Sequence, residues 1–221
     1  MRVVTLVPWR PEPTGAREEL YRVVRPYLDA LGWPVFEGDG PGPWSRARAV
    51  NAAAELAEDW EAALIADADT IPERMAVLSA VQLAVARGGA IRPHDTLYSL
   101  NPVQTRLVAR KGLKALNLYV RQRTLPGGGL LAISRAAWDA VDGYDERYVG
   151  WGHEDSDLHT RLLARADWDR IPGVAYHLFH PRDRARTTPA NRARMDEVQR
   201  QHARDIERAS RARGYDVGSV L

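Results

Sequence analysis

The chain has 221 residues, 45% of them hydrophobic, no cysteine, and a formal net charge of +2 with a sequence pI of about 9.0. That composition supplies one large domain with its own core. It excludes disulfides, thiolate nucleophiles and cysteine-ligated zinc, so any metal must rest on oxygen and imidazole; the small positive balance permits attraction to phosphates without demanding it.

The opening "MRVVTLVPW" holds an apolar run too short to span a membrane and lacks the pattern of a secretory leader, so no membrane span and a cytoplasmic protein are expected. Val3 to Val7, closed by Pro8, reads as a buried strand, and Thr14 to Leu31 as a helix with Leu20, Val23, Val24, Tyr27, Leu28 and Leu31 on one side. "PVFEGDG" suits a second strand, and Ser45 to Leu56 a serine-capped helix. "ALIAD" suits a third strand, and "TIPE" a helix start with Thr70 as cap and Glu73 reaching back. That helix is expected to run to Arg87, followed by a hard-to-read stretch from Pro93 to Pro126, a glycine-led strand "GGGLLAIS", and an Arg-rich helix from Pro189 to Arg213. Alternating strands and helices predict an α/β fold in one domain: a nucleotide-binding half over 1–90, a catalytic and acceptor half over 91–188, and the closing helix over 189–213.

Ligands of open α/β sheets collect beyond the carboxyl ends of the strands, where Asp67 and Asp69 fall. Three accounts of "DADT" compete. The aspartates organise a turn; or the first is a phosphorylated nucleophile, a scheme poorly served by a chain whose only lysines are Lys111 and Lys114; or the pair holds a divalent cation against a sugar nucleotide. The short motif leaves all three open.

The segment "GGGLLAISRAAWDAVDGYDERYVGWGHEDSDLHTRL" resembles the C-terminal signature of the β-1,4-galactosyltransferase family. "SRARAVNAAA", "IADADTIP" and "YHLFHPRD" resemble further blocks of that family in the same order, and polypeptide N-acetylgalactosaminyltransferases share related versions. The resemblance implies a GT-A glycosyltransferase fold, a Rossmann-like mixed sheet flanked by helices. It also implies a metal-dependent, inverting transfer from a uridine diphosphate sugar to an acceptor hydroxyl on a glycan or protein; the chain's scattered cations add nucleic acid as a further acceptor. Alternatives within the same fold are a retaining transferase and a non-catalytic sugar- or nucleic-acid-binding protein.

Carried over residue by residue, the resemblance makes Asp69, His180 and His177 the metal ligands, for Mn²⁺ with Mg²⁺ or Co²⁺ as alternatives. His177 stands where the family commonly has methionine, and two histidines three apart on a straight strand would point oppositely, so a bend at Pro181 is expected. Asp155 takes the place of the general base and Glu154 that of its partner, while Asp67 falls nearer the ribose. Pro8, Trp9, Arg10, Arg46, Asn51, Gly128, Gly129 and Trp151 fall in the nucleotide-sugar region, with Arg48 a weaker candidate and Tyr148 a second stacking surface. His153 replaces a glycine of the pattern. Arg92, Arg106, Arg110, Lys111, Lys114, Arg121 and Arg123, with the arginines between Arg182 and Arg213, form a candidate polyanion surface.

Overall fold

A computed structural model describes residues 1–116, 122–123, 129–181 and 187–213. The elements run β1 (Val3–Pro8), α1 (Ala16–Asp29), β2 (Val35–Gly38), α2 (Arg46–Leu56), β3 (Ala62–Ala66), β4 (Thr70–Pro72), α3 (Arg74–Arg87), β5 (Ala90–Arg92) and β6 (Thr96–Ser99). They continue with α4 (Pro102–Lys111), β7 (Gln122–Arg123), β8 (Leu130–Ser134), α5 (Arg135–Val141), α6 (Glu154–Arg165), β9 (Trp168–Arg170), β10 (Val174–His177) and α7 (Pro189–Arg213).

Six strands form the main sheet in the order β2-β1-β3-β8-β5-β9. The first three are mutually parallel, as the strand–helix alternation predicts, but β8 enters antiparallel between β3 and β5 and makes the sheet mixed. Alternate residues of β3 serve opposite faces: Ala63 and Ile65 join Val4, Leu6, Trp60 and Leu162, whereas Leu64 and Ala66 join Val7, Val24, Leu28 and Ile71. Burial on both faces explains the uninterrupted apolar runs of β1 and β3. No helix among the described residues is long and apolar enough to cross a membrane.

The alanines of α2 let it settle close to β2. A Cβ added at Gly38 would lie 2.1 Å from the Ala49 carbonyl oxygen and 2.3 Å from the Ala53 nitrogen, both backbone atoms of α2. Since neither can swing aside, Gly38→Ala is expected to cost about 3 kcal/mol, read as a lower urea midpoint with an unchanged slope.

The "TIP" segment differs from the expected helix start. Thr70–Pro72 is a strand of a second, four-stranded sheet ordered β4-β10-β6-β7, and α3 begins only at Arg74. Glu73 does not close a capping box: its Oε2 accepts from the Val174 N–H at 3.0 Å, and its own N–H donates to the Val174 carbonyl. Pairing with a strand a hundred residues later overrides the local cap signal. The long middle stretch is likewise only partly helical, with α4 ending at Lys111 before a 3-10 turn over Leu113–Ala115.

Candidate active site and metal centre

The β4–β10 ladder builds the first half of the site. Thr70 pairs with His177, and the Leu178 N–H donates to the Asp69 carbonyl at 2.8 Å, which brings the residue before β4 against the end of β10. Asp69 Oδ1 then lies 3.6 Å from His177 Nε2, and its Oδ2 lies 3.3 Å from His180 Nε2. The three ligand atoms fall within 4.8 Å of one another, close to the reach of one ion with bonds of about 2.1 Å. Both imidazoles turn the same way because β10 stops at His177, ahead of the bend expected at Pro181; the Phe179 N–H is already held by Thr105 Oγ1 at 2.8 Å. The rings end 5.2 Å apart between centroids.

The two aspartates of the motif divide their work. Residues 67–69 form a turn beyond β3, in which the Thr70 N–H donates to the Asp67 carbonyl, so the carboxylates find different partners. Asp67 Oδ1 accepts from Arg46 at 2.7 Å, while Asp69 faces the histidines. Burial pushes Asp67 above its ordinary pKa against the pull of the Arg46 guanidinium. Burial acts on Asp69 in the same sense, but the hydrogen bond with His180 and the charge of His177 carry it below its ordinary value.

Arg46 joins this half to the second. Placed in the first turn of α2 behind the Ser45 cap, it also donates to Asp155 Oδ1 at 2.5 Å and to the Tyr144 hydroxyl at 3.0 Å. Tyr144 in turn donates to the same Asp155 oxygen at 2.9 Å, and the Arg46 guanidinium lies 5.5 Å from its ring centre. Both bonds to Asp155 thus fall on Oδ1. Beside it, burial and then the Asp155 charge push Glu154 up to about 7, and Glu154 Oε2 is buried without a hydrogen-bond partner. Asp157 belongs to the scaffold: buried at the same helix end, it is held by Arg161 at 2.5 Å.

The remaining predicted residues are placed as follows. Pro8 ends β1 on the same sheet edge as Asp67; Trp9 leans on Tyr21 at 4.7 Å between ring centres; Arg10 bonds Asp39 and the carbonyls of Gly40 and Gly42 and lies 5.5 Å over Trp44. Arg48 is spent on the Pro41 carbonyl, and Asn51 clamps the loop after α5 by bonds to both backbone groups of Tyr144 and to Glu146. Gly129, at φ +100°, gives its carbonyl to the Asp67 N–H, and Gly128 lies outside the described residues. Trp151 is 65% exposed and Tyr148 is buried, so of the two rings only Trp151 offers a face to solvent. His153, the N-cap of α6, sits at φ +75°, a left-handed position that explains why glycine suits it.

Sequence reasoning missed two residues and misplaced a third. Tyr144 carries no periodic signal, standing in the loop between α5 and α6. Asn191, the single asparagine of α7, is buried, and its amide donates to the carbonyls of Val149 and Gly152 at 3.1 and 3.2 Å, holding the loop that carries Trp151. Arg92, grouped above with surface cations, is 8% exposed and leaves that group; Arg121 and residues 182–186 lie outside the described residues.

Comparison with known proteins finds a family model that matches part of the chain and solved structures that share its fold. The family described as "N-terminal domain of galactosyltransferase" matches residues 109–181. Human β-1,4-galactosyltransferase 3 is 27% identical over 186 residues, covering 80% of this chain and 41% of that protein; the chain therefore spans about two fifths of the length of such relatives. Human β-1,4-galactosyltransferase 4 is 38% identical over 72 residues, 31% of this chain and 21% of that one. Among solved structures, a mutant Drosophila β-1,4-galactosyltransferase 7 in complex with manganese, UDP-Gal and xylobiose superposes with a TM-score of 0.56 at 18% identity, covering 87% of this chain and 78% of the other. GalNAc-T7 with UDP, GalNAc and Mn²⁺ gives a TM-score of 0.58 at 15% identity, over 96% and 50%.

Proposed function

We propose that this chain, a galactosyltransferase-like protein of the GT-A fold, transfers a sugar from a nucleoside diphosphate donor, with uridine as the base, to an acceptor hydroxyl. The observation that carries the reading is the convergence of Asp69, His177 and His180 on one point, with Asp155 tied to the same strand end through Arg46. One carboxylate and two imidazoles suit a divalent first-row cation, and Mn²⁺ is the ion bound with a UDP-sugar or UDP in both solved relatives above. When bound, such an ion stabilises charge on the departing diphosphate.

The chain's own residues supply the rest. Asp155, fixed through Oδ1, keeps Oδ2 for the proton of the attacking hydroxyl, which suits direct displacement with inversion. Glu154, raised by burial and by the Asp155 charge to about 7, has one carboxyl oxygen without a protein partner that suits a hydrogen bond with a sugar hydroxyl. Exposed Trp151 presents an aromatic face to the acceptor.

The test is a thermal-shift titration with UDP, with and without Mn²⁺, followed by donor turnover. Stabilisation by UDP should require Mn²⁺. Asp155→Asn should slow turnover by about 10²-fold while leaving that stabilisation in place. Undiminished turnover in Asp155→Asn would remove the base assignment, and indifference to Mn²⁺ would remove the metal-dependent reading.

A further inference from the structure

Arg92, the last residue of β5, has a guanidinium taken out of water with no carboxylate in contact with it. The residue is 8% exposed, and among the described residues its side chain makes no hydrogen bond or ion pair; its guanidinium carbon lies 5.4 Å from the Trp168 ring centre, and the charges of Asp155 and Arg170 are felt there without contact. Buried arginines are ordinarily paired, because an unanswered charge in the interior is costly. Arg46 nearby shows the ordinary arrangement, with Asp67 on one side and Asp155 on the other.

Arg92 also lines a cavity of about 30 Å³, together with Arg46, Gly129, Tyr144, Asp155 and Trp168. That space holds roughly two waters, or one group the size of a carboxylate. A diphosphate is too large for it and is already provided for at Asp69. Asp155 does not answer Arg92 by contact, since Arg46 and Tyr144 occupy its Oδ1. Burial pushes the Arg92 pKa down and the Asp155 charge draws it up; the net direction is down. A sugar hydroxyl would bring no charge to the cavity. A carboxylate would, and its two oxygens match the fork of a guanidinium.

We propose that this cavity receives the carboxylate of an acidic sugar, so that the donor is a nucleoside diphosphate hexuronic acid read by Arg92. The inference rests on the donor reading given above: with the diphosphate at the Asp69 centre and Asp155 taking the proton of the attacking hydroxyl, the donor sugar falls between them, beside the cavity wall that Asp155 forms. Arg92 is then a specificity-determining residue and Trp168 the surface that keeps its guanidinium flat.

The experiment measures binding of UDP, UDP-glucose, UDP-galactose and UDP-glucuronate to the whole chain with Mn²⁺, by calorimetry, and repeats the series with Arg92→Met and Arg92→Lys. UDP-glucuronate should bind at least about tenfold more tightly than UDP-glucose, with the preference lost in Arg92→Met and reduced in Arg92→Lys, which keeps the charge without the fork. Equal or weaker binding of UDP-glucuronate, with UDP itself still bound, overturns the role of Arg92 and leaves the transferase reading standing. Failure of UDP to bind at all overturns both. The unsubstituted chain decides the matter even if Arg92→Met does not fold.

Discussion

Asp69→Ala is expected to abolish the Mn²⁺-dependent stabilisation by UDP and to lower donor turnover by roughly 10³-fold or more. The carboxylate meets His177 at 3.6 Å and His180 at 3.3 Å, so its removal leaves two imidazoles without an anionic ligand between them. Metal stabilisation of a leaving diphosphate is worth several kcal/mol, and about 4 kcal/mol corresponds to roughly three powers of ten in rate. Because Asp69 also gives its carbonyl to the Leu178 N–H, which any residue at this position can do, the β4–β10 pairing should survive the change. Circular dichroism and the melting temperature without metal should therefore stay near those of the unsubstituted chain. Treatment with a chelator should reproduce the loss in the unsubstituted protein and change nothing further in the variant. A variant that still binds UDP only with Mn²⁺ would take Asp69 out of the metal centre.

Arg46→Met is expected to cost about 3–5 kcal/mol of folding stability, the usual consequence of removing one member of a buried charge cluster. Its side chain is 12% exposed and bridges Asp67, 26% exposed, and Asp155, 27% exposed. Without it, two carboxylates and the Tyr144 hydroxyl face one another with no cation between them. Methionine keeps much of the volume, so packing loss is a small part of the effect. The triple change Arg46→Met with Asp67→Asn and Asp155→Asn should recover a large share of the stability, because it removes the repelling charges along with the bridge. Urea unfolding checks both variants, and a single substitution costing under about 1 kcal/mol would show that the bridge does not hold the site together.

How much of this was legible depended on how local each feature is. The end of β1 and the span of α7 follow from apolar runs and a Pro-led polar stretch, and the sequence placed both correctly. Asp67 and Asp69 were visible because they interrupt an apolar strand. What could not be read was their divergence, since the side chains are aimed by the turn after β3 and by partners on α2 and β10. The same limit explains Thr70–Pro72: a threonine, a proline and a glutamate carry every local sign of a helix start, and only the distant strand β10 makes them extended. Arg46 was expected in the nucleotide-sugar region, but its partners Asp67, Asp155 and Tyr144 could not be read, because they stand far from it in the sequence and are brought to it only by the fold. Arg92 was grouped with surface cations because arginine is common along this chain, and composition carries no information about depth.

The hold of Asn191 on the Val149 and Gly152 carbonyls links two parts of the chain that the order of motifs keeps apart. The loop with Trp151 is moored on two sides, to the final helix and to the start of α2, where the Gly150 N–H donates to the Trp44 carbonyl at 2.9 Å and Ser45 Oγ donates to the Tyr148 carbonyl at 2.7 Å. A fusion partner, antibody or surface attachment that tugs on that helix should consequently be felt first at Trp151, with Ser45 and its neighbour Arg46 the next to register the pull.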